Sequence, residues 1–566
     1  MRYHGRMRVF LLVVLASAPL LGASDPVREW RSSVRRLARE EKTFWGEFGK
    51  RWNQAWTAYI QPVLEARGKH DGDPNPLYDY APFRNWYEDY AAIQRALGEA
   101  DLDFAKSGHP KAAATLLKEL LATDKLIDKL EADLLKARPF KWDTFDQHAP
   151  IQRSGLAIRE QALIEALGRC ADAAVFLADR AWKEAVRKDG RRSIRRRVAV
   201  IDALGFTGDS DALAFLSPLT GAKQSSLRVA AAEALLRFSA RGRPALRPLV
   251  ADPSLPVRRA LLQGIATQHP QDPGWIPVLV EALPAARGVL IPDILKALKA
   301  LTNQRFGYDP AAWKSWLEDY RTEIEGGGFD KQSVEVREAK PKPVPAGITF
   351  YGIRIPSRSV VFVLDGSRHV WWPAAWEVQK TQYKNDWDRK RATWEKLYPS
   401  HQKILLRELG KCFSSMPEDA SFSMVRLQGE FVAEPLTGRR LLHAKPNAFK
   451  QAEKFVAQLA GDGWCSQFAG LMEASRLAGL GPESELDFPK PLADTIILFD
   501  AGDPAGGRYM SPEALVDAFR RFNRFRRLVV HTIRICNEGQ PSEVVMKGIA
   551  EASGGTYLWA SKPPAD

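Results

Sequence analysis

The sequence predicts a multidomain chain: all-α in its N-terminal part, and α/β, doubly wound (Rossmann-type), in its C-terminal part. Apolar residues recur at helical spacing through the first 325 residues or so. From 347 onward, short apolar runs rich in β-branched residues alternate with helical patterns, which builds a mostly parallel sheet with helices on both faces. Between the two lies 326–346, GGGFDKQSVEVREAKPKPVPA, which reads as a linker: flexible at its three Gly, stiffer at KPKPVP. The length agrees, since 566 residues exceed one core and roughly 150 residues per domain gives two to four domains.

The N-terminus, 1–24, reads as a signal peptide. Arg2, Arg6 and Arg8 form a basic region, Val9 to Leu21 is an uncharged run of 13 residues, and Gly22, Ala23 and Ser24 supply small residues for cleavage. The run is short for a membrane anchor, so no transmembrane anchor is expected after cleavage. The expected location is periplasmic or secreted, in the cell envelope. Losing three Arg lowers the formal charge from +14 to about +11, which favours acidic partners. Four Cys (Cys170, Cys412, Cys465 and Cys536) are too few for a disulfide scaffold or a Cys-rich zinc module. Whether Cys412, Cys465 and Cys536 pair is open at this stage.

Residues 25–148 read as a helical bundle. Asp25-Pro26 is a helix start, a capping residue before Pro at the first helical position. Phe44, Phe48, Trp52, Trp56 and Ile60 then step by four, one apolar stripe. A turn-rich segment, 67–82, breaks the helix. A second helix carries Phe83, Trp86, Tyr90, Ile93 and Leu97, and a third runs from Pro110 to about Ala137. Antiparallel packing of the three is the simplest arrangement.

Residues 149–325 are periodic. Ala203-Leu204, Ala234-Leu235 and Gly264-Ile265 occupy matching places at spacings of 31 and 30, with a looser copy at Ala300-Leu301. Each unit is an apolar helix, a Gly/Asp/Pro turn and a second helix. The pattern resembles HEAT-like repeats, which stack into an α-solenoid because no unit buries its own face.

In the C-terminal part, 347–566, strands are expected at Ser359–Leu364, Ser421–Leu427, Phe431–Ala433, Thr495–Phe499 and Leu528–Ile535. Here FYGIRIPSRSVVFVLDGSRHV is similar to the first strand and metal loop of von Willebrand factor A (VWA) domains. LVVHTIRI and MKGIAEASGGTYLW resemble their last strand, last helix and closing turn. The whole looks like bacterial exported proteins that join helical repeats to such a head. The resemblance implies a metal-ion-dependent adhesion site, D-x-S-x-S, in which oxygens from three loops hold Mg²⁺ with one position open to a partner. This chain departs from it. Asp365 and Ser367 match, but His369 replaces the second Ser and Arg368 lies between. Cys465, with Ser466 beside it, stands where a Thr is usual, and Asp500 supplies the third loop, with Asp503 displaced. Imidazole and thiol are poor Mg²⁺ ligands.

The site is therefore expected to be degenerate and without a cofactor. The alternatives are a weakly bound Mg²⁺ or Mn²⁺ on Asp365, Ser367 and Asp500, or Zn²⁺ on Asp365, His369 and Cys465. A Cys–His catalytic pair rests on proximity alone, and no catalytic residue is assigned.

Between the metal loop and the next helix lies an insertion, 371–400, with five of the 17 Trp. Trp376, Tyr383, Trp387 and Trp394 are spaced 7, 4 and 7, one helical face. They are candidate partner- or glycan-binding residues, although regular aromatics are more often packed inside. Two basic runs, VRKDGRRSIRRR and RRFNRFRR, read as solvated helix ends. No nucleic-acid fold signature accompanies them, so nucleic acid is not an expected partner. Phosphate loops, HExxH, CxxC pairs, GxSxG and EF-hand loops are absent. The expected function is a non-enzymatic, adhesion-type protein with protein partners in the cell envelope. An anionic polymer or glycan is the further candidate.

Overall fold

The computed structural model describes residues 25–55, 81–136, 148–187, 191–268, 271–338, 347–366, 400–430, 432–438, 440–459, 463–464, 466–481, 486–488, 491–500, 511–535 and 541–560. Residues 1–24, read above as a signal peptide, 67–80 of the expected turn, 371–399 of the aromatic insertion, Ser367, Arg368, His369, Cys465, Asp503 and Cys536 lie outside them. Among the described residues no helix is long and apolar enough to cross a membrane.

The N-terminal region is helical. α1 (Pro26–Ala55) begins where Asp25 accepts the Val27 amide at 3.0 Å. It packs on α2 (Ala81–Lys106) through aromatic rings, Phe44 on Tyr90 and Phe48 on Trp86, with centroids 5.5 and 4.7 Å apart. α3 (Ala112–Lys136) and α4 (His148–Gly168) complete this layer. Buried Asp101 ties three elements together, accepting from Trp30 Nε1 at 2.9 Å and pairing with Arg159.

After a short helix over 173–186, α5, four helix pairs follow: α6 (Arg191–Thr207) with α7 (Ser210–Leu216), α8 (Ser225–Leu236) with α9 (Arg243–Leu246), α10 (Leu255–Gln268) with α11 (Ile276–Ala282), and α12 (Leu290–Thr302) with α13 (Pro310–Glu325). The first helices pack in chain order, α4 on α6 on α8 on α10 on α12. The repeat positions read from the sequence are their buried centres: Ala203, Leu204, Ala234, Leu235 and Ile265 are all fully buried. Small residues allow the close stacking. A Cβ on Gly168 would collide with the Ala203 carbonyl oxygen, so α4 and α6 could not approach as they do. The Asp residues of the turns serve as caps, Asp209 accepting from Asp211 N at 2.7 Å and Asp309 from Ala312 N at 3.3 Å.

Within the expected linker, part of 329–338 is held against the last helix pair. Phe329 stacks edge-on to Trp316, and Gln304 donates to the Glu335 carbonyl at 3.1 Å and accepts from Arg337 N at 2.7 Å. A glutamine that bonds backbone at both ends fastens the strand-like segment to the last helix pair.

The C-terminal region is an α/β domain on a mixed sheet. It opens with a hairpin that sequence inspection overlooked, β1 (Ile348–Phe350) and β2 (Ile353–Ile355), turned by Tyr351 and Gly352 at φ 49° and 77°. Two left-handed residues make the loop twist match the strands. The main strands are β3 (Ser359–Asp365), β4 (Ser421–Glu430), β5 (Val432–Pro435), β8 (Thr495–Asp500), β9 (Val529–Arg534) and β10 (Tyr557–Trp559), in the order β10-β9-β8-β3-β4-β5. Two-residue strands β6 (Leu442–His443) and β7 (Gly463–Trp464) also pair with β4. All neighbours on the main path are parallel except β4 and β5.

β8 and β9 are buried along their whole length, because both faces are covered. Alternate residues sort between the faces. Val360, Phe362 and Leu364 join α14 (His401–Ser415), α15 (Pro446–Ala457) and the hairpin. Val361 and Val363 join α16 (Gln467–Leu477), α17 (Pro512–Asn523) and α18 (Pro541–Ser553). That second face is continuous with the core of the helical arm, so arm and head share apolar packing.

Their seam is also polar. Arg524 donates to both oxygens of Asp202, at 2.9 and 2.7 Å, and to Glu233 at 2.6 Å. Arg527 pairs with Glu233 and donates to Gln263 at 2.7 Å. Asp487 accepts from Ser225 N and Oγ at 2.7 and 2.6 Å, and Tyr87 bonds to Asp517. Burial pushes the Asp202 carboxyl up against the pull of Arg524. Glu233 is desolvated too, but facing Arg524 and Arg527 it is held below the ordinary range. The reading of RRFNRFRR as solvent-facing is thus corrected. Arg526 is 2% exposed, sandwiched by Phe488 and Phe522, because here the guanidinium planes find rings and carbonyls to satisfy them.

Two outcomes are expected. Replacing Arg524 with Ala strands Asp202, whose side chain is 3% exposed, and should cost about 3–5 kcal/mol in urea unfolding. Buried His531 is lowered from 6.5 to about 4 by burial and by Arg259. Its neutral form favours the fold above pH 6.5, and the unfolded chain takes the proton first as pH falls. Stability should drop by about 3 kcal/mol between pH 6.5 and about 4, and the drop should flatten in His531→Asn.

Candidate functional site

Open parallel sheets bind ligands at the carboxyl ends of their strands, where the connections diverge. In this sheet they diverge between β3 and β8, since the chain leaves β3 for β4 on one side and returns through β8 on the other. Asp365 is the last residue of β3 and Asp500 the last of β8. The strands are hydrogen-bonded neighbours, with Leu364 opposite Phe499. Both carboxylates are buried, at 0% and 1% exposure. The backbone holds the two ends fixed: Gly366 N donates to the Leu427 carbonyl at 2.6 Å, and the Asp500 carbonyl accepts from Ile535 N at 3.1 Å. The structure therefore brings these two of the sequence-derived residues together. Ser367, His369 and Cys465, and the aromatic candidates Trp376, Tyr383, Trp387 and Trp394, lie outside the described residues.

Two residues beside the acids were missed from the sequence. The first is Gln467. Ser466 caps α16, accepting from Ala469 N at 3.3 Å, and this sets the helix so that Gln467 Nε2 donates to Asp500 Oδ2 at 3.1 Å. Gln467 is itself 1% exposed. The second is Arg534, fully buried at the end of β9 and in register with Asp500. Register partners in adjacent parallel strands present their side chains to the same face, about 4.8 Å apart. Arg534 Nε donates to Ser542 Oγ at 2.9 Å, and Nη1 lies 3.6 Å from Glu543. A lone Arg near the end of the apolar run LVVHTIRI was the available signal.

Part of the donor set is already engaged by protein groups. Asp500 accepts an amide N–H from Gln467, and its register partner on β9 is Arg534, whose guanidinium lies 3.6 Å from Glu543. The Ser466 hydroxyl accepts the helix-cap hydrogen bond from Ala469 N. Among the described residues no group of three or more His, Cys, Asp or Glu could hold a metal ion. Cys412 and Cys170 are buried thiols without disulfides, pushed by burial up to about 12 and about 11, so neither supplies a thiolate near neutral pH.

No family model matches the chain, and no curated protein matches it. Among solved structures it is similar to a von Willebrand factor type A protein from Catenulispora acidiphila, at 18% identity and a TM-score of 0.25. The likeness covers 36% of this chain and 39% of that one. The chain thus spans about two fifths of that structure.

If Gln467 satisfies Asp500 as described, Gln467→Leu should lower unfolding stability by about 1.5–3 kcal/mol, the cost of a lost hydrogen bond to a buried charge. Urea melts with an unchanged slope would report this. A change within error would mean that water or another group replaces the amide without loss.

Proposed function

We propose that the chain is an exported, non-enzymatic binding protein whose VWA-like head works without a metal in its former adhesion site. One observation supports this reading: the buried acid at the end of β8, Asp500, accepts from Gln467 Nε2 at 3.1 Å, and Arg534 is its register partner on β9. Export rests on the basic, apolar and small-residue succession of 1–24. The helix pairs are taken as a HEAT-like solenoid, supported by the in-order stacking of their first helices. The head is taken as VWA-like on the sequence resemblance together with the strand order. Partners are proposed to be proteins of the cell envelope.

The head occupies part of the first-helix face of the arm, through Ser154, Asp202, Ser225, Glu233 and Gln263. A partner would therefore meet the second helices or the rim of the head. Such surfaces suit recognition by shape and charge, with specificity in the loops and affinity in a few anchors.

Thermal melts of the purified chain with EDTA, Mg²⁺, Mn²⁺ and Zn²⁺ in parallel test the proposal. No shift is expected with any ion, whereas an ion at 100 times its dissociation constant would add about 2.7 kcal/mol. Stabilisation by Mg²⁺ or Mn²⁺ that vanishes in Asp365→Ala would overturn the metal-free reading. Stabilisation by Zn²⁺ alone, lost in His369→Ala or Cys465→Ala, would point to new metal chemistry at the same edge.

A further inference from the structure

The two basic runs set aside in the sequence meet in space. Arg195, from the first, and Arg520, Arg521, Arg524 and Arg527, from the second, line one cavity of about 910 Å³ between the arm and the head. α3, α4 and α6 form one wall, and the end of α17 with the turn into β9 forms the other. Apolar patches from Ile158, Ile164, Phe522 and Phe525 lie among the charges. A volume of this size between two packed regions, part apolar and part polar, matches small-molecule sites.

The charge pattern selects the ligand. The wall carries six guanidinium groups and five carboxylates, and each carboxylate already has a cation. Glu131 takes Arg153 through Nε and Nη2 at 2.9 and 2.6 Å. Asp128 and Glu160 both lie 3.2 Å from Arg195, Asp202 holds Arg524, and Asp517 accepts from Arg520 at 2.8 Å. The donors are not exhausted. Arg153 Nη1 and Arg527 Nε are buried with no hydrogen-bond partner, on side chains only 12% and 19% exposed. Each guanidinium offers five N–H groups and no acceptor, so a buried surplus on that side is met by an anion or by water. Charge-assisted bonds to a carboxylate or phosphate are the stronger solution.

We propose that this cleft binds a small organic anion, a carboxylate or phosphate group on a partly apolar skeleton, clamped between arm and head. The apolar lining takes the skeleton, and the unmatched guanidinium donors take the charge. Such a ligand touches both regions at once, so its binding also tightens the seam.

Calorimetric titration of the full chain with phenyl phosphate, phenylacetate and benzyl alcohol tests this. One or both anions should bind saturably and the neutral alcohol should not. The tighter of the two anions identifies the headgroup. Ala157 lines the cavity and carries no charge, so Ala157→Trp should fill it and weaken binding by at least about tenfold while the seam pairs stay intact. Arg521→Gln, chosen because Arg153→Gln would strand Glu131, should weaken binding by about tenfold as well. It also serves if the Trp variant does not fold. Failure of both anions to bind would overturn the proposal, leaving water on those donors. So would equal binding of the alcohol, or anion binding unaltered in both variants.

Discussion

The arrangement of this molecule depends on a buried ion cluster at one seam. Arg524 reaches from the head into the arm and is held by Asp202 and Glu233 from two successive first helices. Apolar contact alone would let two faces slide, because it has no direction. A guanidinium fork has direction, and it engages these carboxylates in one geometry. Pairs of this kind add little net stability against an apolar replacement, yet breaking one leaves an uncompensated charge. They therefore act chiefly to choose one docked arrangement among the many that apolar burial would permit. Asp487 with Ser225 and Tyr87 with Asp517 pin the same seam at two further points. The shared core spreads beneath all three.

The same logic of charge facing charge governs the carboxyl edge of the sheet. Two carboxylates at 0% and 1% exposure need nearby positive charge or donors. In an adhesion-type site a divalent ion meets that need. Here Gln467, set by the Ser466 cap of α16, donates to Asp500, and Arg534 holds the register position next to it on β9.

Much of the architecture was legible because it is written in local periodicity. Ala203, Ala234 and Gly264 lie in first helices that stack in chain order, and small buried residues every 30 or 31 positions leave a direct trace in residue type. The strands β3, β8 and β9 were visible for the same reason, being buried on both faces. The hairpin at Tyr351-Gly352 was missed because three-residue strands give too few alternations, and Tyr is an uncommon first residue for such a turn. The candidate site was half legible. Asp365 and Asp500 follow strand ends, which a sequence displays. Gln467 and Arg534 matter only through register between elements tens of residues apart. The basic run at 520–527 was misplaced for a related reason: an Arg surrounded by charge looks solvated until its carboxylate partners, some 300 residues away, are known.

That separation bears on how the chain comes to be folded. Tyr87 and its partner Asp517 are 430 residues apart, and Arg524 and Asp202 are 322 apart. Emerging from the ribosome, the arm appears hundreds of residues before the segment that covers its first-helix face. Through that interval the acids Asp202 and Glu233, and the apolar surface around them, have water or chaperones for company. A seam that closes only with the last tenth or so of the sequence keeps the most committing step for the end.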